Sequence, residues 1–153
     1  GHNNRPVMIW DEMNDSLLSS STTQIWTILA VINWQGAAVF PDYNGIVSRY
    51  EASDDVSLIA TVGGTLLRAT NGSVFINGVN TLEFSPMINY KIACKVITLS
   101  NSGRILIGNE TAGFPTARAW NGNMAEVIIA NVAWSAAQRQ AAEAAANTYW
   151  SVY

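Results

Sequence analysis

Residues 120–150, WNGNMAEVIIANVAWSAAQRQAAEAAANTYW, decide the fold. The pair Asn121-Gly122 predicts a tight turn, because both residue types readily adopt the positive φ angles that such turns need. The apolar run at residues 127–130 is rich in β-branched side chains and predicts a strand. A strand therefore begins the C-terminal part of the chain.

A helix is expected to follow this strand. Ser135 and Gln138 have the spacing of a capping box, in which each side chain accepts a hydrogen bond from the other residue's backbone N–H. Residues 136–149 contain neither Gly nor Pro and are rich in alanine, the best helix former. The sequence thus predicts one C-terminal α-helix.

Upstream, turn signals alternate with short apolar runs. Gly63-Gly64, Asn71-Gly72 and Asn77-Gly78 each indicate a hairpin, and turns recur about every 8–12 residues, which is typical of a sandwich or barrel. The run 24–34 has hardly a polar interruption and predicts a central strand covered on both faces. We predict an all-β jelly-roll sandwich of about twelve strands with one C-terminal α-helix.

Composition limits the class of protein. The 153 residues suit one domain, and only 12% are charged, with a net charge of −3, against about 25% in ordinary globular proteins. A nucleic-acid partner would call for a basic face, so none is expected. No apolar run approaches the roughly 20 residues of a membrane-spanning helix, so no membrane insertion is expected. A charge-poor surface is expected of a domain that binds a neutral polar ligand, of one whose surface is covered in an oligomer, or of a secreted domain.

The ends and the single cysteine complete the domain description. We interpret residues 1–2 as a cloning remnant and residues 3–153 as a single domain, the C-terminal part of a longer chain. Cys94 has no second cysteine with which to form an internal disulfide, and its apolar surroundings in sequence predict a small buried side chain rather than a reactive thiol.

Several segments resemble the laminin-G-like branch of the concanavalin A-like lectin/glucanase superfamily. The C-terminal block matches the pattern f-N-G-x-(I/M)-A-E-(V/I)-I, then S-x-x-(Q/E)-R, then Y-(L/W), at Trp120, Asn121, Gly122, Met124, Ala125, Glu126, Val127, Ile128, Ser135, Gln138, Arg139, Tyr149 and Trp150. Weaker matches lie at residues 6–17, 26–34 and 75–78. The resemblance implies a jelly-roll sandwich and, often, carbohydrate or cell-surface binding.

The residues argue against an enzyme. The only histidine is His2, which excludes Ser-His-Asp and Cys-His nucleophilic sites, and neither zinc-ligand spacings nor a phosphate-binding glycine loop occur. Glucanases of the superfamily carry the alternating motif E-x-D-x-x-E, whereas this chain has isolated Glu83, Glu110, Glu126 and Glu143. We therefore expect no catalytic residues, and Glu126 is expected to bind backbone donors.

No cofactor and no metal site are expected from these patterns. Calcium is the one alternative, because Asp11, Asp15, Asp54 and Asp55 could supply oxygen ligands and some laminin-G-like domains bind calcium. Aspartates in turns more often cap the turn itself.

Aromatic side chains are the better candidates for sugar binding, because pyranose C–H faces pack on aromatic rings while polar groups bind the hydroxyls. We assign Trp10 and Trp26 to the core, and Trp134 and Tyr149 to the contact between the helix and the sandwich. The candidate ligand-binding residues predicted in loops are Trp34, Tyr43, Asn44, Arg49, Phe114, Arg118, Trp120 and Asn121. For each, packing beneath a loop or at a subunit interface is the alternative.

The resemblance and the low charge together predict a binding domain: the receptor-binding tip of a bacteriophage tail fibre, located in the virion, a homotrimer that attaches to bacterial surface polysaccharide. Three linked sites would raise apparent affinity without new contacts. The alternatives are a carbohydrate-binding or adhesion module of a secreted or cell-surface bacterial protein, a polysaccharide depolymerase, and a structural cap that ends a fibre.

Overall fold

The computed structural model describes residues 5–11, 16–50, 57–100, 102–110 and 118–153. Within these ranges it contains ten strands and one helix: β1 Met8–Asp11, β2 Leu17–Gln24, β3 Thr27–Trp34, β4 Gly45–Arg49, β5 Leu58–Ile59, β6 Gly72–Ile76, β7 Val79–Asn80, β8 Lys91–Ile97, β9 Ser102–Ile107, β10 Asn121–Ala130 and α1 Ala136–Trp150.

The strands form two antiparallel sheets that pack as a β-sandwich. The first has the order β1-β10-β3-β8-β6-β7 and the second the order β2-β9-β4-β5. The main core lies between them and includes Ile32 from the first sheet and Val47 from the second. Every residue of β3 is buried, which confirms the prediction of a strand covered on both faces. The all-β class with one C-terminal helix is confirmed as well.

The C-terminal stretch departs from prediction at its start. Asn121 and Gly122 are not a turn, since both belong to β10 and Gly122 pairs with Trp34. A Cβ atom at Gly122 would lie 2.1 Å from the carbonyl oxygen of Asn33. The glycine is there because two backbones approach closely, a requirement that local sequence does not distinguish from a turn. Asn77-Gly78, by contrast, is the predicted hairpin turn, with φ angles of 50° and 82°.

The helix begins as predicted. The Ser135 hydroxyl accepts a hydrogen bond from the Gln138 backbone N–H, and the Gln138 side chain accepts one from the Ser135 N–H. Helix α1 lies against β3 and β8, so the first sheet is covered on both faces at its centre. Cys94 is buried, as predicted, and its position is beneath the helix, where burial raises the pKa of its thiol to about 12.

The contact between helix and sheet involves a different aromatic residue from the one predicted. Tyr149 is 55% exposed, whereas Trp150 is only 5% exposed and donates a hydrogen bond from Nε1 to Glu126 Oε2 at 2.8 Å. Ala146 and Trp150, four residues apart, lie on the same buried face of α1. This face is offset by one position from the predicted face, which contains Tyr149. Trp134 does pack against this layer, as predicted.

Some apolar segments form no strand, and one strand lacks an apolar pattern. Residues 36–39 form bends, and residues 65–69 contribute only isolated bridges. Trp10 is in the core as predicted, but Trp26 lies between β2 and β3 and is only partly buried. Strand β2 has the sequence LLSSSTTQ and is mostly exposed. Its lack of apolar alternation explains why the sequence did not predict it.

Candidate functional site

The two tryptophans predicted as ligand contacts lie in the interior. Trp34 is 1% exposed at the end of β3, and Trp120 is 0% exposed just before β10. Their rings meet edge to face at 5.1 Å, and both pack against Phe40. Each indole N–H donates to a backbone carbonyl, Trp34 to Ala37 and Trp120 to Asn33. Trp34 therefore belongs to a strand and not to a loop, Trp120 does lie in the connection before β10, and both rings are part of the buried core.

Asn44 and Arg49 are buried too. Asn44 is 1% exposed, and its side-chain amide donates to the Ala119 carbonyl at 2.7 Å, so it ties the segment before β4 to the segment before β10. Arg49 is in β4, 8% exposed, and its Nε makes no hydrogen bond with the described part of the chain. Neither side chain is open to a large ligand in this arrangement.

Tyr43 and Arg118 do meet at one end of the sandwich. The Tyr43 ring is partly buried, and the guanidinium carbon of Arg118 is 5.2 Å from its centroid. The guanidinium carbon of Arg68 is 5.4 Å from the same centroid. Arg118 forms an ion pair with Glu110 through Nη1, and its Nε lies 3.4 Å from Asp42 Oδ1 without hydrogen-bond geometry. We call Asp42, Tyr43, Arg68, Glu110 and Arg118 the Tyr43 cluster.

Local hydrogen bonds hold the cluster in place. The Tyr43 backbone N–H donates to Asp42 Oδ1 at 2.7 Å, and the Glu110 N–H donates to the side chain of Asn109 at 2.7 Å. Arg68 Nε donates to the Thr70 hydroxyl. These bonds fix the Asp42 carboxylate, the Arg68 guanidinium and the backbone of Glu110, whose carboxylate is held by Arg118, and this order before a ligand arrives limits the entropy lost on binding.

The electrostatics of the cluster are balanced. Burial alone would lower the pKa of the Arg118 guanidinium, but the hydrogen bond and charge of Glu110 and the charge of Asp42 outweigh burial and raise that pKa. Two arginines face two carboxylates, so the cluster has formal charges that cancel. An aromatic ring beside fixed donors and acceptors without net charge fits a neutral polyhydroxylated ligand.

The remaining predicted site residues are not part of this cluster. Asn121 is partly buried in β10, and its carbonyl accepts a hydrogen bond from the Gln35 N–H. Phe114 lies outside the described residues. Arg68, Asp42 and Glu110 were not among the predicted ligand contacts. Sequence offered no signal for Arg68, because it reaches Tyr43 only through the fold.

The described glutamates are each engaged by a neighbouring donor. Glu110 pairs with Arg118, Glu143 with Arg139, Glu126 accepts from Trp150, and Glu83 accepts from the Ser85 backbone N–H. The prediction that Glu126 binds backbone donors is corrected, since its partner is an indole. The pairing register between β10 and β3 shifts between Met124 and Glu126.

The described ranges contain neither a metal-ligand cluster nor a membrane-spanning helix. No group of three or more His, Cys, Asp or Glu side chains that could hold a metal ion occurs within them. The aspartates considered for calcium are not covered by this finding, because Asp15, Asp54 and Asp55 fall outside the described residues and the Asp11 side chain is not described. No helix in the described part is long and apolar enough to cross a membrane.

Comparison with known proteins gives no assignment. No protein-family model, curated protein or solved structure matches this chain.

Proposed function

We propose that this chain is a non-catalytic binding domain that recognises carbohydrate on a bacterial surface, as the receptor-binding tip of a phage tail fibre. In this proposal the sandwich has jelly-roll connectivity of the laminin-G-like kind, and three copies of the chain assemble in the virion. The residues that resemble that branch and the charge-poor composition support the assignment.

One observation carries the proposal: the Tyr43 ring lies 5.2 Å and 5.4 Å from two guanidinium groups, at the end of the sandwich where two carboxylates are also fixed. In the proposed complex the exposed part of the Tyr43 ring packs against a sugar ring, the guanidinium N–H groups donate to hydroxyl oxygens, and the carboxylates accept from hydroxyl protons. Loops at the end of a rigid sandwich are a common position for binding residues.

Binding rather than chemistry is favoured by how the carboxylates are held. Glycoside hydrolysis needs one carboxylic acid and one carboxylate on either side of the scissile bond. Glu110 and Asp42 instead lie against the same guanidinium, that of Arg118, an arrangement that positions both carboxylates as hydrogen-bond acceptors.

The experiment is a binding assay with a matched control. Tyr43→Ala and Tyr149→Ala each remove a tyrosine ring that an arginine contacts, since the Arg5 guanidinium carbon is 3.6 Å from the Tyr149 centroid. Oligosaccharides from bacterial surface polysaccharides are titrated into each variant by calorimetry. We expect Tyr43→Ala to weaken binding about tenfold or more, equivalent to about 1.4 kcal/mol, and Tyr149→Ala to leave binding unchanged.

Two results would contradict the proposal. One is unchanged affinity in Tyr43→Ala. The other is failure of the wild-type domain to bind any glycan of a broad panel. Circular dichroism of both variants controls for the fold, which neither partly exposed ring is expected to determine.

A further inference from the structure

A buried asparagine adjoins the Tyr43 cluster. Asn44 follows Tyr43 in the chain, precedes the first residue of β4 and is 1% exposed. A buried amide needs hydrogen-bond partners for both of its polar atoms, because an unpaired donor or acceptor away from water is costly. The partners of Asn44 belong to two different segments of the chain.

The Asn44 side chain joins these two segments. Its nitrogen Nδ2 donates to the carbonyl oxygen of Ala119, the residue directly after Arg118, at 2.7 Å. Its oxygen Oδ1 accepts from the backbone N–H of Asp42 at 3.3 Å. One side chain therefore connects the segment that carries Asp42 and Tyr43 to the segment that carries Arg118.

Backbone contacts surround this connection. The Gly45 N–H donates to the Arg118 carbonyl at 2.9 Å, and the Asn44 N–H donates to the Asp42 carbonyl at 2.9 Å. A Cβ atom at Gly45 would lie 2.1 Å from the carbonyl carbon of Asn109, so a third segment also passes close by. A substitution can remove the Asn44 side chain while these backbone groups stay in the chain.

The contacts within the cluster cross the same two segments. The guanidinium carbon of Arg118 is 5.2 Å from the Tyr43 ring centroid, and its Nε is 3.4 Å from Asp42 Oδ1. A binding site needs its groups held within about 0.5 Å of the productive geometry. A looser connection between the segments would therefore disturb both contacts at once.

We propose that Asn44 is a positioning residue for the ligand site: it holds Tyr43 and Asp42 in place relative to Arg118, and so sets the affinity of the Tyr43 cluster for carbohydrate without touching the ligand. The inference rests on the proposed function and gives Asn44 a different role from the ligand contact that its residue type suggested. Order that exists before binding lowers the entropy that binding costs.

Asn33 supplies a matched control. It is 5% exposed, its side-chain nitrogen donates to the Ile88 carbonyl at 3.1 Å, and its side-chain oxygen accepts from the Asn123 N–H at 2.9 Å. Asn33→Ala thus removes the same two kinds of hydrogen bond from the same residue type, and neither bond involves a residue of the Tyr43 cluster. We expect Asn33→Ala and Asn44→Ala to lower stability in urea unfolding by similar amounts.

The first measurement needs no ligand. Amide hydrogen exchange at the Tyr43 and Gly45 N–H groups, whose acceptors lie in the two joined segments, is followed by NMR in Asn44→Ala and Asn33→Ala. We expect exchange at both amides to be about tenfold faster or more in Asn44→Ala, because local opening of the connection becomes easier. Equal exchange rates in the two variants would overturn the inference.

The second measurement is the affinity, by calorimetry, for the surface oligosaccharide that the wild type binds. We expect Asn44→Ala to weaken binding about fivefold or more and Asn33→Ala to leave it unchanged. In a Tyr43→Ala background, Asn44→Ala should weaken binding less, since a positioning residue acts through the groups that it positions. Unchanged affinity in Asn44→Ala, an equal loss in Asn33→Ala, or the same loss in both backgrounds would overturn the inference.

Circular dichroism controls for folding of each variant. If Asn44→Ala does not fold, Asn44→Asp replaces it with the same expected and contradicting results, because its carboxyl oxygen can still accept from the Asp42 N–H while the donor to the Ala119 carbonyl is lost. Failure of the proposed function is distinguishable. A wild type that binds no glycan would refute that function, and the exchange rates would still decide whether Asn44 orders the cluster.

Discussion

Replacing one partner of the ion pair beneath α1 should lower the free energy of unfolding strongly, whereas replacing both partners should lower it far less. Arg139 and Glu143 are one helical turn apart, with side chains only 7% and 3% exposed. The Arg139 guanidinium carbon lies 3.7 Å from the centroid of Phe75 on β6. The second oxygen of Glu143, Oε1, is buried without a hydrogen bond from any described residue.

Arg139→Met would leave the Glu143 carboxylate buried without its cation. Breaking one side of a buried pair costs about 3–5 kcal/mol of unfolding free energy. For a chain of this size that corresponds to a fall of about 6–20 °C in Tm, at roughly 2–4 °C per kcal/mol. The double variant Arg139→Met with Glu143→Leu removes both charges, so its stability should return to within about 2 kcal/mol of the wild type or exceed it.

The assay is urea unfolding followed by circular dichroism, with the slope of free energy against urea compared among variants. Gln140→Met, at an exposed position of the same helix, controls for methionine in α1 and should change stability by less than about 0.5 kcal/mol. The reasoning is refuted if Arg139→Met costs less than about 1 kcal/mol, or if the double variant is as unstable as the single one.

Three further predictions concern the same half of the molecule. Because burial raises the pKa of the Cys94 thiol from 9.0 to about 12, the native state keeps a proton above pH 9 that the unfolded chain releases. The contribution of this thiol to the free energy of unfolding should therefore be fully present below pH 9 and fall above it by up to about 1.4 kcal/mol per pH unit. Urea titrations at several pH values should show a smaller slope for Cys94→Ala. Trp150→Ala should cost about 3–5 kcal/mol in thermal or urea unfolding, whereas Tyr149→Ala should cost less than about 1 kcal/mol; equal losses would contradict the orientation of α1. Gly122→Ala should destabilise the domain measurably in the same assay, because the new methyl group would meet the Asn33 carbonyl, and an unchanged Tm would show that β10 and β3 do not approach so closely.

Much of the fold was predictable where local patterns were strong. The continuous apolar run of β3 indicated a strand buried on both faces, and the spacing of Ser135 and Gln138 indicated the start of α1. The capping box joins residues that are close in sequence, and a strand that is buried on both faces requires only a continuous apolar run. The Asn77-Gly78 hairpin belongs to the same class.

Other features depend on distant contacts and left no local signal. Strand β2 is held at its edge by pairing with β9, so it needs no apolar alternation of its own. Gly122 follows an asparagine as a turn glycine would, yet it serves a close approach to β3. The direction in which α1 faces the sheet also depends on the packing of the whole layer, which is why Trp150 was not distinguished from Tyr149.

The candidate site was predicted least well. Aromatic residue type identified Tyr43 together with Trp34 and Trp120, but exposure separates them only once the sandwich is formed. Arg68 contacts Tyr43 from a segment 25 positions further along the chain, a distance over which sequence carries no pairing information. Residue type alone therefore did not indicate which of the candidate side chains lie together in the fold.

Incubation with a bound polysaccharide tests the central claim most directly. Purified bacterial surface polysaccharide that the wild-type domain binds is incubated with it, and both retention and polymer length are measured by size-exclusion chromatography. We predict that the polymer keeps its length, and that Tyr43→Ala no longer retains it. Shortened polymer, or retention that survives loss of the Tyr43 ring, would contradict a non-catalytic site at this cluster.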